Sequence, residues 1–273
     1  MKESFGEQNN PHNNSIIPDK LNLILKNKEH KQEELQDEET GDIYFKKHYW
    51  GGVREMHLRE HFISLLVKGI FHSSEMIRIG ENDFLSRKNN LEYTQKGELL
   101  EKEAEIFLLK TIFGDSDRDI ETPNHNIEQD KDGRFSHYDY GSALRGNEFN
   151  KIHENSKNAY NIFHEFCKDN NFSKDDIRNF SIQIINKLRA LEQAVNDEKF
   201  ISAILEKTEF QPLYELERID NTNNIGMIKK IKKYFHKDNV NKDAEDLNFI
   251  RVKKLFLKPI KAMEKVAGKE VKK

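Results

Sequence analysis

Residues 114–141 read GDSDRDIETPNHNIEQDKDGRFSHYDYG and crowd eight Asp or Glu into one stretch rich in turn formers. Three readings compete: a solvated acidic loop, a calcium loop, and a short hairpin that brings separated polar groups together. An EF-hand loop wants oxygen ligands at its first, third, fifth and twelfth positions and glycine at the sixth. Starting at Glu128, the chain offers Glu128, Asp130, Asp132, Gly133 and Asp139. The first is Glu where Asp is wanted, the last is Asp where Glu is wanted, and the flanks ETPNHNI and YGSALRG are poor helix formers. Calcium loses. DKDG reads better as a hairpin turn, because Asp-Gly supplies the positive φ angles that tight hairpins prefer. HNIEQ and RFSHYD then become two short antiparallel strands, with Asn126 at the start of one and Asp139 at the end of the other.

Working outward, GDIYFKKHYW (41–50) follows a Gly-Asp turn with β-formers and aromatics, which predicts a strand. REMHLREHFISLLVKGIF (54–71) sets Met56, Phe62, Leu65, Leu66 and Ile70 near helical spacing, and Gly69 marks the helix end. SEMIRIGENDFLSRKN (74–89) reads as two short strands joined by GEND. Helix returns in TQKGELLEKEAEIFLLKTIFG (94–114), with Leu100, Ala104 and Phe107 on one face. Beyond the acidic stretch, Ser173 and Asp176 form a capping box, and Ile177, Phe180, Ile184, Leu188 and Leu191 make an apolar stripe. That stripe is ordinary core. The order is therefore strand, helix, two strands, helix, hairpin, then helices, an α+β arrangement with a small sheet ahead of a helical part.

The chain has 273 residues, 34% charged and 36% hydrophobic, with a net charge of -3. It is long enough for one large domain or two small lobes. The single cysteine, Cys167, excludes an internal disulfide and a cysteine-rich zinc site. His125 and His137 flank the hairpin without the helix-borne spacing of a zinc pair. MKESFGEQNNPHNN has no apolar core of a secretory leader, and no apolar run approaches a membrane span. These features predict a soluble protein of a reducing, cytoplasmic compartment, although export by a route without such a leader would leave no trace here.

A loop Asp, an Asn just before a short strand and an Asp-x-Gly after the return strand suit phosphoryl transfer. The first Asp orients or deprotonates the attacking hydroxyl, while the Asn and the last Asp hold Mg²⁺ against nucleotide phosphates. The final glycine lets the backbone turn past the metal. GDSD (114–117), NHNI (124–127) and DYG (139–141) resemble this plan as found in the atypical kinases: the phosphatidylinositol kinases, the HipA-like toxin kinases and a group of secretory-pathway kinases. The resemblance implies a two-lobed protein-kinase-like fold with a β-rich N-lobe and a helical C-lobe. It makes Asp117 the catalytic aspartate, Asn126 and Asp139 the metal ligands, and ATP with Mg²⁺ or Mn²⁺ the cofactors. IYFKK resembles the strand with the phosphate-binding lysine, Lys46 being preferred over Lys47. The helix after it supplies the lysine's partner, Glu60 in preference to Glu55. DFLSRK then runs past the adenine with Phe84, Leu85 and Ser86.

The likeness spans about residues 40–205 as order and spacing, and it departs from the pattern in places. The kinase Asn follows its Asp by about five residues, whereas Asn126 lies nine and Asn124 seven beyond Asp117, and Asp115 and Asp119 compete with Asp117. No glycine-rich loop precedes GDIYFKK. The implied organisation is a flexible segment over 1–40, an N-lobe over 41–92, a C-lobe over 93–225 and a basic helical region over 226–273. That last region holds fifteen Lys or Arg against six Asp or Glu, a balance of +9 that leaves -12 for the rest. Its lysines interleave with Met227, Ile228, Ile231, Tyr234 and Phe235, a pattern that suits packing on the lobe or contact with an anionic membrane; no base-reading motif accompanies the charge. The expected function is phosphotransfer to a protein hydroxyl, with an inositol-lipid acceptor or a non-catalytic pseudokinase or membrane adaptor as alternatives.

Overall fold

The computed structural model describes residues 21–27, 32–48, 54–73, 76–80, 83–88, 98–115, 127–129, 135–137, 140–222 and 244–273. Strands β1 (Leu21–Asn27), β2 (Gln32–Asp37), β3 (Ile43–His48), β4 (Met76–Arg78) and β5 (Asp83–Lys88) form one antiparallel sheet in the order β1-β2-β3-β5-β4. The turn from β2 to β3 is set locally. Thr40 Oγ1 donates to Asp37 Oδ2 at 2.7 Å, and Gly41 takes φ +75°, where a side chain would be strained. Two strands thus lie inside the segment 1–40, where the sequence predicts a flexible stretch with at most one. The sheet reaches back to Leu21. Its first strand carries LNLIL, an apolar run that the polar surroundings disguise until β2 is there to pair with it.

Helix α1 (Arg54–Val67) connects β3 to β4, and Gly69 at φ +78° stops it. Ten of its residues from His57 to Val67 are buried, Leu65 being the partly exposed exception. It is enclosed on all sides because it lies between the sheet and the helices that follow. Helices α2 (Glu98–Ile112), α3 (Asn147–Glu154), α4 (Asn158–Asp169), α5 (Lys174–Asn196), α6 (Glu198–Thr208), α7 (Pro212–Thr222) and α8 (Ala244–Glu270) make up the larger part. Between α2 and α3 sits the hairpin β6 (Ile127–Gln129) and β7 (Phe135–His137), paired antiparallel with Ile127 opposite His137. The chain is α+β, as the pattern predicts.

The capping box of α5 is present, with Ser173 N donating to Asp176 Oδ2 at 3.0 Å and Asp176 N to Ser173 Oγ at 3.2 Å. Phe180, Ile184, Leu188 and Leu191 of its stripe are fully buried. Against them runs α8, whose Val252, Leu255, Phe256, Ile260, Met263 and Ala267 recur every three or four residues and are all buried in the same core. Each large side chain so buried contributes about 1.5–3 kcal/mol. Lys254, Lys258, Lys261 and Lys265 stay exposed on the opposite side. The basic terminal region is therefore core on one face and solvated lysine on the other over 244–270, and its residues 223–243 lie outside the described residues. Among the described residues, no helix is long and apolar enough to cross a membrane.

Candidate functional site

Period-two alternation sorts the sheet into two faces. Tyr44, Leu85 and Ile77 pack together on one, with Leu35 against them, and Lys46 stands opposite Leu85 on that face. Lys47 stands opposite Phe84 on the other face. There α1 covers the sheet: the rings of His57 and His61 lie 5.2 and 5.5 Å from the Phe84 ring. Between these two histidines in sequence, Glu60 reaches Lys47, with Nζ 2.7 Å from Oε1. Lys47 keeps 14% of its side chain exposed, and Glu60 keeps 2%. The partner of Glu60 is thus Lys47, one residue beyond the expected Lys46, because the strand turns its odd-numbered residues towards α1. Leu85 points into the Tyr44 cluster, away from the face shared by Lys47, Phe84 and Ser86.

The residue before Glu60 faces the other way. Successive helix positions are turned about 100° apart, so Arg59 leaves the sheet and enters the helical core, where it is fully buried. Its Nη1 donates to Glu215 Oε1 on α7 at 2.9 Å, and its Nη2 donates to the Gly141 carbonyl at 2.7 Å. Gly141 closes the DYG motif. Consecutive residues of α1 therefore hold the sheet and the far end of the acidic stretch.

The two ends of that stretch meet. Ser142 Oγ donates to Asp115 Oδ1, and Asp115 is completely buried. Arg145 N and Gly146 N both donate to the Gly114 carbonyl, at 3.2 and 2.6 Å. No side chain fits here: a Cβ on Gly114 would lie 2.8 Å from Phe149 Cβ, and one on Gly146 would lie 2.8 Å from the Gly114 oxygen. Asp115, a rival for the role of base, holds Ser142 at this point. The hairpin is tied from a second side. His137 N donates to the His72 carbonyl at 2.7 Å, and Tyr140 Oη donates to Ser73 Oγ at 2.6 Å, both in the loop after α1.

Beneath that loop lies a buried polar cluster centred on Glu105 of α2. His72 Nδ1 lies 2.8 Å and His137 Nε2 3.1 Å from its carboxylate, and Lys187 Nζ of α5 contacts both Glu105 and Glu101, the latter at 2.8 Å. Burial alone would push the Glu105 carboxyl up, but hydrogen bonds from His137 and His72, with the charges of His137 and Lys187, hold it well below the usual carboxylate range. Burial would lower the Lys187 pKa, and Glu105 together with Glu101 overcomes it and raises it. His72, Glu101 and Glu105 are close enough to hold a metal ion. The Lys187 ammonium already supplies the cation between the two glutamates, so the cluster is a structural anchor for the loop and hairpin. Cys167 is buried, and burial with the nearby Glu270 charge pushes its thiol up to about 12, which makes it inert.

Of the expected site residues, Glu60, Phe84 and Ser86 share one face with Lys47, whereas Asp117, Asp119, Asn124, Asn126 and Asp139 lie outside the described residues. The flanking positions are described: Ile127 follows Asn126 and pairs with His137, two before Asp139. Sequence reasoning misses Arg59, Glu215 and Ser142. Glu215 lies 156 residues from Arg59, and no local pattern links them. A solvent-open groove of about 480 Å³ on α6 and the start of α8, lined by Lys199, Ser202, Glu206, Phe210 and Asn248, includes none of these residues. No family model, curated protein or solved structure matches the chain.

Proposed function

We propose that this chain is an ATP- and divalent-metal-dependent phosphotransferase of two-lobed, kinase-like build that acts on a protein hydroxyl. The observation that carries the reading is the Lys47–Glu60 pair at 2.7 Å, joining the third strand to the helix that follows it. Protein kinases use a strand lysine on the nucleotide phosphates, held by a glutamate of the next helix. The chain order supports the same roles: lysine strand, glutamate helix, two strands, then the hairpin between the NHNI and DYG motifs.

Each residue's task follows from its chemistry. Glu60 is buried enough to hold the ammonium in one place, and Lys47 is open enough to meet an anionic phosphate. Phe84 and Ser86 line the same face along β5. Asp117 orients or deprotonates the acceptor hydroxyl. Asn126 and Asp139 offer an amide oxygen and a carboxylate, donors that suit Mg²⁺ or Mn²⁺. The metal, when bound, neutralises charge on the phosphates. The described residues at the two ends of the stretch containing these three residues are joined, through Asp115 with Ser142 and Gly114 with Gly146.

One observation favours a second reading, a nucleotide-binding pseudokinase with slow turnover. Residues 28–31, between β1 and β2, read KEHK and contain no glycine to let backbone amides approach phosphates closely. Incubation with labelled ATP and Mg²⁺ or Mn²⁺ separates the two. Phosphotransfer predicts metal-dependent autophosphorylation that Asp139→Ala abolishes without changing the melting temperature. Metal-dependent binding with no incorporation supports the second reading, and wild-type incorporation in Asp139→Ala removes the metal assignment.

A further inference from the structure

We infer that Arg59 is a positioning residue: it locks helix α1 to Gly141, the last residue of the DYG motif, so that the Lys47–Glu60 pair and that motif assemble as one unit. The inference rests on the phosphotransfer reading for its functional consequence and on geometry for its mechanics. A fully buried guanidinium is costly, and a well-packed apolar side chain of similar volume serves stability as well or better. What an apolar residue cannot do is bridge. The planar fork of Arg59 spends one nitrogen on Glu215 of α7 and another on the main-chain carbonyl of Gly141. Its neighbour Glu60, turned about 100° around the helix, holds Lys47. A rotation or shift of α1 that released Lys47 would therefore also tear Arg59 from Gly141.

Two further ties act in the same sense. Tyr140, inside the motif, donates to Ser73, and His137 N donates to the His72 carbonyl, so the motif is fastened to the loop leaving α1 as well as to its middle. The sequence neighbours Arg59 and Glu60 thus make the two halves of the site conditional on each other. The arrangement favours an α1 that stays docked without nucleotide.

The test uses the full chain and two variants, the double substitution Arg59→Met with Glu215→Leu and the single Arg59→Lys. The double variant removes both buried charges together and so remains folded with a melting temperature near that of the native chain. Hydrogen exchange is followed in peptides covering 54–67 and 140–146, and ATP affinity is measured with and without Mg²⁺. In the double variant exchange rises about tenfold in both segments together, and ATP affinity in the presence of Mg²⁺ falls about tenfold. Arg59→Lys keeps the charge and loses the fork, and it shifts the same readouts in the same direction; it carries the test alone if the double variant does not fold. A folded variant with native exchange in 140–146, or with native Mg²⁺-dependent affinity, overturns the inference. If the native chain binds no ATP under either condition, the phosphotransfer reading fails separately, and exchange alone decides whether Arg59 couples the two segments.

Discussion

Arg59 and Glu60 are adjacent in sequence, equally charged in magnitude and both ion-paired, yet they serve different ends. The Glu60 pair has one side at the protein surface, where Lys47 keeps 14% of its side chain in solvent. The Arg59 pair has neither partner exposed beyond 1% and sends its second nitrogen to a backbone carbonyl. A pair with an accessible cation can accept an incoming anion, whereas a sealed pair can only hold what it already holds. On the proposed function, the difference separates a group that meets ligand from one that fixes where that group stands. It also shows that burial of charge does not by itself mark a reactive centre: the buried carboxylate of Glu105 has its cation built in as Lys187.

This contrast predicts a ranking of stability losses. Arg59→Met alone breaks the buried ion pair with Glu215 and costs about 3–5 kcal/mol, read from denaturant unfolding. A smaller loss would mean that Glu215 finds water, and the sealed description would fall. Glu105→Gln costs about 3 kcal/mol at neutral pH. Because the folded pKa of Glu105 lies below its unfolded value, its contribution is complete above about pH 4.3 and fades as pH falls through the folded pKa. Unfolding free energy should thus drop more steeply on acidification in the native chain than in Glu105→Gln, and parallel slopes would contradict the network. Lys47→Met removes a partly exposed charged hydrogen bond and costs only about 2 kcal/mol, while ATP turnover collapses. Lys46→Met, on the other face of β3, changes stability by less than about 0.5 kcal/mol and spares ATP binding.

How far the sequence could be read depended on the range of the signal. The α5 stripe and its capping box, the helix ending at Gly69 and the hairpin around DKDG are local patterns, and each element is present. The choice between Lys46 and Lys47 turned on strand register, which depends on which face α1 covers, and α1 is a separate element. Tyr44, on the same strand face as Lys46, packs in a small apolar cluster. Strands β1 and β2 were disguised because QEELQD is polar except at Leu35 and pairs as a strand on both sides. The role of the terminal helix was ambiguous for a similar reason. A stripe of Val252, Phe256, Ile260 and Met263 edged by lysines suits a membrane and a protein core alike, and only α5 decides between them. The Arg59–Glu215–Gly141 bridge left no mark in any window of sequence.

The central claim, that Lys47 and Glu60 form the phosphate end of a metal-dependent nucleotide site, is tested most directly by calorimetric titration of ATP into four proteins. These are the native chain, Lys46→Ala, Lys47→Ala and Asp139→Ala, each with and without Mg²⁺. The account predicts metal-enhanced binding in the native chain and Lys46→Ala, loss of affinity in Lys47→Ala, and binding without metal enhancement in Asp139→Ala. Equal affinity in Lys47→Ala and the native chain, or no ATP binding by the native chain at all, would contradict it.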